Sequence, residues 1–201
     1  MASKPTPQLH LASSSPRRRE ILEALGLEFT VASVDVVEAL EAGESAEQMV
    51  LRLAMAKAAA AEVEATCVVI GSDTAVVLGD EILVKPTDRD DAIAMLLKLS
   101  GRRHCVLTGV AVRGPQGVQT ALSSTDVLFR ERSRDVALAY WQSGEPCDKA
   151  GAYGIQGRGG VFVAAISGSY SGVMGLAVYE TTQLLQDVGI DILLQRKDDG
   201  G

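Results

Sequence analysis

A serine- and arginine-rich segment near the start of the chain carries residue types that bind phosphate. Ser13–Ser15 precede Pro16, and Arg17–Arg19 follow it. Proline is favoured at the first position of a helix, so the arginines fall in a predicted first turn. The helix dipole makes cations there unfavourable by roughly 0.3–1 kcal/mol each, which a bound anion would offset. The segment therefore favours phosphate binding, although a solvated basic turn has the same sequence.

An aspartate in the middle of the chain, Asp73, is a second candidate. The apolar run Val68–Ile70 leads into Gly71–Thr74, which predicts a buried strand that ends in this polar segment. Open α/β sheets place ligands at the carboxyl ends of their strands. A carboxylate at that position can activate water or bind Mg²⁺, whereas a turn aspartate that caps its own backbone is the alternative interpretation.

A glycine-rich segment is the third candidate, because five of the thirteen residues from Asp148 to Gly160 are glycine. Such a loop lets the backbone approach a ligand, and the amide of Gln156 can hydrogen-bond to a nucleobase edge. No helix is predicted after it, so it is not a dinucleotide-binding turn. A flexible connector is the alternative. Lys57 and Lys85 are weaker candidates, because most lysines are solvated.

Composition excludes several classes of protein. The 201 residues are 47% hydrophobic, which suits one domain over residues 1–201. A net charge of −7 argues against nucleic-acid binding. Two histidines and three widely spaced cysteines argue against a zinc site or a disulfide framework. No apolar run approaches the roughly 18 residues of a membrane span, and no signal peptide is recognisable, so we expect a soluble, cytoplasmic protein.

The order of predicted helices and strands indicates how these candidates are positioned. Apolar runs predict strands at 8–13, 28–33, 66–72, 75–78, 81–84, 103–113, 118–129 and 161–166. Helical patterns and capping signals predict helices at 16–25, 45–65, 88–99, 133–142 and 173–187. This order predicts an α/β fold, with a twisted mixed sheet and helices packed on it.

Together the motifs resemble the Maf family of nucleotide pyrophosphatases, also called septum formation inhibitors. The resemblance covers about residues 9–185 and rests on an ordered set of motifs. These are Ser13-x-Ser15-Pro16-Arg17-Arg18, Gly71–Thr74 with Lys85-Pro86, Leu99–Gly101 with Thr108, Lys149–Gly160, and Gly175-Leu176.

The resemblance implies a fold, a reaction and a cofactor. The fold is a two-lobed α/β structure with a central cleft, similar to inosine triphosphatase, and it often forms a homodimer. The reaction is hydrolysis of a nucleoside triphosphate to the monophosphate and pyrophosphate. The cofactor is a divalent cation, Mg²⁺ in the first place, with Mn²⁺ or Co²⁺ as alternatives. The partner is a small nucleotide rather than a membrane or a nucleic acid.

The resemblance also implies roles for particular residues. Asp73 matches the catalytic base, with a role as metal ligand as the alternative. The positions linked to substrate choice are Arg17, Thr74 and Gln156, and those lining the phosphate site are Ser13, Arg18, Lys57 and Lys85. Family members commonly have a Glu directly after an acidic residue beyond the second strand. Here Val36 follows Asp35 and the next acid is Glu38, so the metal ligands stay unassigned.

The segment around Gln156 resembles the branch of the family that acts on dTTP and UTP. A glutamine amide can donate to O4 of uracil or thymine and accept from N3–H, but a flipped amide fits cytosine equally well. The sister branch, acting on 7-methyl-GTP, tends to carry a glutamate there. The first hypothesis is therefore a dTTP/UTP pyrophosphatase, with modified pyrimidine nucleotides as further substrates. The alternative is a non-catalytic, nucleotide-binding regulator of cell division, which would bind without turnover.

Overall fold

A single seven-stranded mixed sheet organises the protein, whose residues 7–194 are described by a computed structural model. The strands are β1 (Leu9–Leu11), β2 (Thr30–Val31), β3 (Val68–Leu78), β4 (Glu81–Leu83), β5 (Arg103–Gly114), β6 (Gly117–Phe129) and β7 (Val163–Ser167). Their order is β2-β1-β3-β5-β6-β7, and β4 pairs with β3. β1 is parallel to β2 and β3, and the other pairs are antiparallel.

Helices flank both faces of the sheet. They are α1 (Pro16–Ala24), α2 (Ala46–Ala60), α3 (Arg89–Leu99), α4 (Arg134–Trp141), α5 (Tyr170–Met174) and α6 (Val178–Asp187), with 3₁₀ turns at Glu145–Asp148, Ala150–Ala152 and Gly157–Phe162. Within residues 7–194, no helix is long and apolar enough to cross a membrane. The predicted fold class, a mixed sheet flanked by helices, is confirmed.

The main difference from the sequence prediction concerns Asp73. The predicted strand end at Gly71–Thr74 is wrong, because β3 continues through it to Leu78. The cause is non-local: β5 pairs with β3 in antiparallel register from Val69 to Val77. Asp73 therefore lies in the middle of a strand rather than in a turn.

Two predicted helices are also too long. The predicted 173–187 helix is two helices, because Gly175 adopts a φ of +115° and ends α5. The helix predicted to reach residue 65 ends at Ala60, where Ala61 is extended. Its start is as predicted, since Ser45 and Gln48 form both hydrogen bonds of a capping box.

The middle of one edge of β3 has no neighbouring strand, which leaves a gap in the sheet. β1 pairs with residues 68–70 of β3, and β4 pairs with residues 76–78 on the same edge. The intervening residues 71–75 face the space between β1 and β4. Apolar cores lie on either side of this space: Val68 and Ile70 belong to one, and Val76 belongs to the other. The gap is therefore a cleft between two lobes that share the long strands.

Two glycines allow α2 to lie directly against the sheet. A Cβ atom on Gly71 would lie 2.2 Å from the Ala54 carbonyl oxygen, and one on Gly109 would lie 2.4 Å from that of Val50. Gly109 is the cross-strand partner of Asp73. The close approach therefore brings the α2 backbone next to the position of Asp73.

We expect Gly109→Ala to lower the free energy of unfolding by about 1–3 kcal/mol, because the methyl group would push α2 off the sheet. Urea denaturation measures the change. Gln119→Ala, at an exposed position of β6, is the control and should stay within about 0.5 kcal/mol of the parent. A Gly109→Ala protein as stable as this control would contradict the close packing.

Candidate active site

All eight residues selected from the sequence line one cleft of about 330 Å³. They are Ser13, Arg17, Arg18, Lys57, Asp73, Thr74, Lys85 and Gln156. The first lobe contributes the start of α1 and the end of α2. The second contributes β4 and the glycine-rich segment. Strand β3 forms the floor where the two lobes meet.

The N-terminal end of α1 forms one wall of the cleft. The Ser15 hydroxyl, at the N-cap, makes no capping hydrogen bond within the described residues, so helical N–H groups stay available to an anion. Ser13 Oγ accepts from the Ser15 N–H at 3.2 Å and from Arg18 Nη1 at 3.0 Å. Arg18 Nε donates to the Gly175 carbonyl at 2.8 Å. These contacts hold the Arg18 guanidinium beside the helix start.

A chain of charged side chains crosses the cleft floor. Lys57 Nζ lies 2.6 Å from both Asp73 Oδ1 and Glu38 Oε1. Lys85 Nζ lies 3.1 Å from Glu38 Oε2. Lys57 and Asp73 are buried, with side chains only 10% exposed. Moving these charges out of water costs several kcal/mol, and the mutual attraction of the pair offsets this cost. The close approach of α2 keeps the two side chains in contact.

The Glu38 carboxylate faces the cleft beside Asp73. Partial burial alone would raise its pKa, but hydrogen bonds and attraction from Lys57 and Lys85 outweigh burial and lower the pKa to about 2. Asp35 is exposed and is not among the residues that line the cleft. Of the two acids left open by the sequence, Glu38 is therefore the one positioned to meet a ligand.

Threonine and serine hydroxyls hold the cleft floor against α5. Thr74 Oγ1 lies 3.0 Å from Thr108 Oγ1, which donates to the Gly172 carbonyl at 2.8 Å. Ser72 Oγ lies 2.9 Å from the carbonyl of Gly109 and 2.8 Å from that of Gly175. Thr74 therefore lies at the cleft surface of a buried polar network.

The glycine-rich segment is a tightly packed wall rather than a flexible connector. Glu145 accepts hydrogen bonds from Tyr140 Oη at 2.8 Å and from the N–H groups of Arg158 and Gly159 at 3.0 Å each. Tyr140 Oη also accepts from the Gly154 N–H at 3.1 Å. A Cβ on Gly159 would lie 2.1 Å from the Gly154 carbonyl oxygen, so glycine is required at this contact.

Two polar contacts join the walls of the cleft. Arg17 Nη1 lies 3.6 Å from Asp148 Oδ2. Gln156 Nε2 donates to Glu20 Oε2 at 3.4 Å. In both contacts one partner is on α1 and the other is in the glycine-rich segment. Two of the three candidate specificity residues, Arg17 and Gln156, are thus engaged with acidic partners.

The sequence reasoning missed these partners. Glu20, Glu145 and Tyr140 lie outside the motifs, and Asp148 begins the glycine-rich segment but was given no role, because most acidic residues are solvated. The only local signal was the position of Glu20, one helical turn after Arg17, where side chains share a face. The other contacts depend on chain segments that only the fold brings together.

The arrangement defines an α/β protein with a cleft in which Arg and Lys side chains surround one buried carboxylate. The chain belongs to the Maf family, since the family's sequence model, described as "Maf-like protein", matches residues 8–188. This confirms the resemblance drawn from the ordered motifs.

Three curated relatives match most of the chain, and each is named "dTTP/UTP pyrophosphatase". The protein of Saccharophagus degradans is 53% identical over 88% of this chain and 87% of its own. The Vibrio cholerae protein is 53% identical over 89% and 96%. The Vibrio parahaemolyticus protein is 49% identical over 89% and 96%. The Ham1 structure of Staphylococcus aureus has a TM-score of 0.42 and 17% identity, over 62% of this chain and 72% of that one, too low to add to the fold description.

An aromatic cluster supports the cleft wall at Tyr153. His104 is buried against Phe129 and Tyr153, with its Nε2 atom 2.8 Å from Tyr153 Oη. Burial lowers the pKa of His104 from 6.5 to about 4, against weaker opposing effects from the Arg102 backbone and Asp126. The folded protein therefore keeps this imidazole neutral at neutral pH.

We expect His104 to make the protein less stable as the pH falls from 6.5 to 4. In this range the unfolded chain binds a proton at His104 that the folded protein does not, so up to roughly 3 kcal/mol of stability is lost. Urea denaturation across this range, for the parent and for His104→Gln, measures the effect. As the pH falls, the free energy of unfolding should decrease more for the parent than for His104→Gln. Parallel plots of the free energy of unfolding against pH for the two proteins would contradict the prediction.

Proposed function

We propose that this protein is a nucleoside triphosphate pyrophosphatase that hydrolyses dTTP and UTP to the monophosphate and pyrophosphate. The observation that carries the proposal is the convergence of Arg17, Arg18, Lys57 and Lys85 on the cleft that holds Asp73. The names of the curated relatives support the same reaction, and they favour catalysis over a non-catalytic regulator.

The four cations suit a triphosphate. Arginine forks and lysine ammonium groups form strong, charge-assisted hydrogen bonds to phosphate oxygens. The start of α1 adds N–H groups and a favourable dipole for an anion. In phosphoryl transfer the protein contributes mostly positioning and charge stabilisation, so such a cleft supplies the main requirement of the reaction.

Asp73 is the proposed base. Its Oδ1 atom is held by Lys57, and within residues 7–194 no group donates a hydrogen bond to Oδ2. That oxygen can take a proton from a water molecule in the cleft. The water oxygen then forms a bond to the α-phosphorus, the bond between the α-phosphorus and the bridging oxygen breaks, and pyrophosphate leaves.

The donor set fits a divalent cation such as Mg²⁺, with Mn²⁺ or Co²⁺ as alternatives. Asp73 and Glu38 are two carboxylates that meet at one ammonium group, and no cluster of three or more potential ligands occurs among residues 7–194. Mg²⁺ at nucleotide sites takes one or two carboxylates together with phosphate oxygens. Bound there, the cation would neutralise phosphate charge.

The nucleobase of the substrate is assigned to the glycine-rich wall of the cleft. The Gln156 amide can donate to O4 and accept from N3–H of uracil or thymine. Hydrogen bonds to Tyr140 and Glu145 hold the backbone on both sides of Gln156, which limits its movement. We place the reaction in the cytoplasm, and the three free cysteines suit a reducing compartment.

We expect Asp73→Asn to lower kcat by at least about 100-fold, because it removes the proposed base while keeping the side-chain shape. Pyrophosphate release from dTTP and UTP with Mg²⁺ measures the effect. Asp80→Asn, in the exposed β3–β4 turn, is the matched control and should keep the parent activity. Thermal unfolding followed by circular dichroism tests that both variants fold.

The parent protein should also be tested on CTP, GTP and 7-methyl-GTP. Preference for 7-methyl-GTP would contradict the proposed nucleobase specificity but not the proposed reaction. Turnover by the Asp73→Asn variant close to that of the parent would contradict the assignment of Asp73 as the catalytic base. Nucleotide binding without pyrophosphate release would favour the non-catalytic regulator. Light scattering of the same preparation tests for the homodimer that the family resemblance implies.

A further inference from the structure

The contact between Gln156 and Glu20 restricts the orientation of the Gln156 amide. Gln156 Nε2 donates to Glu20 Oε2 at 3.4 Å. An ionised carboxylate has no hydrogen to donate, so only the NH₂ side of the amide can face it. Turning the amide over would place Gln156 Oε1 against the carboxylate, where two acceptors repel each other. The chemistry of the contact therefore selects one of the two amide orientations.

Hydrogen bonds hold the backbone on both sides of Gln156. Glu145 accepts from the N–H groups of Arg158 and Gly159, and Tyr140 Oη accepts from the N–H of Gly154. These hydrogen bonds fix the backbone before and after Gln156. The side chain of Gln156 extends from this fixed backbone, and its hydrogen bond to Glu20 sets the orientation of the terminal amide.

The amide orientation matters because uracil and cytosine present opposite hydrogen-bonding patterns. Uracil and thymine carry an acceptor at O4 and a donor at N3–H. Cytosine carries a donor at its 4-amino group and an acceptor at N3. One amide can pair with either pattern, but only by turning over. A triphosphate held by the four cations of the cleft would fix the side from which the nucleobase reaches Gln156, so the pairing pattern would be matched by the amide and not by the nucleobase.

We propose that Glu20 is a positioning residue for base specificity, which holds the Gln156 amide in the orientation that accepts 4-oxo pyrimidines and rejects 4-amino pyrimidines. This inference rests on the proposed function. Glu20 is exposed and is not among the residues that line the cleft. It acts through Gln156 and not on the substrate.

The test compares kcat/KM for UTP and CTP in the parent protein and in Glu20→Gln. A glutamine at position 20 can present either a donor or an acceptor, so it no longer opposes the flipped Gln156 amide. The ratio of kcat/KM for UTP to that for CTP should fall by about tenfold, in line with the discrimination that a two-hydrogen-bond contact gives. A change in charge near the triphosphate affects both substrates equally and cancels in this ratio.

Glu23→Gln is the matched control. Glu23 lies on the same helix, 3.9 Å from Arg19, and is not among the cleft residues. The ratio of kcat/KM for UTP to that for CTP in Glu23→Gln should equal the ratio in the parent. A Glu20→Gln ratio within twofold of the parent, a rise in that ratio, or a parent that does not prefer UTP would overturn the inference and leave the proposed reaction intact. A parent that releases no pyrophosphate from UTP or dTTP would overturn the proposed function, and the inference with it.

Discussion

The ion pair between Lys57 and Asp73 depends on how closely α2 approaches the sheet. Helices usually pack on sheets through side chains, but at Gly71 and Gly109 the α2 backbone touches the strands directly. This contact brings Lys57 Nζ to 2.6 Å from Asp73 Oδ1 in a buried position. Breaking one side of such a pair is costly, because it leaves a charge unpaired away from water. The site geometry and the packing of α2 are therefore one structural feature.

The cleft follows from the topology of β3. A strand edge without a neighbour normally invites pairing with another chain. In this protein β1 and β4 cover the two ends of that edge, and charged side chains occupy the middle. Residues 71–75 consequently offer polar groups to a ligand while the rest of β3 supports two apolar cores. The same strand thus provides both the stability and the opening.

Local signals in the sequence predicted local structure well. The helices predicted to start at residues 45 and 88, and the turn between the strands predicted at 75–78 and 81–84, are all present, because each depends on a few adjacent residues. The strand end predicted near Asp73 was wrong, because pairing with β5 extends β3 and no nearby residue signals that partner. Choosing Glu38 over Asp35 likewise needed the fold, since both are acids on one irregular segment.

The charges in the cleft explain how a protein can keep four cations close together before substrate binds. Like charges at such distances repel, and their repulsion lowers stability. Glu38 lies between Lys57 and Lys85, and Asp148 lies beside Arg17, so acids of the chain offset this repulsion. A triphosphate carries more negative charge than these carboxylates and can compete for the same cations. On the proposed function, a triphosphate that displaced Glu38 from Lys57 and Lys85 would leave this carboxylate available to the proposed divalent cation.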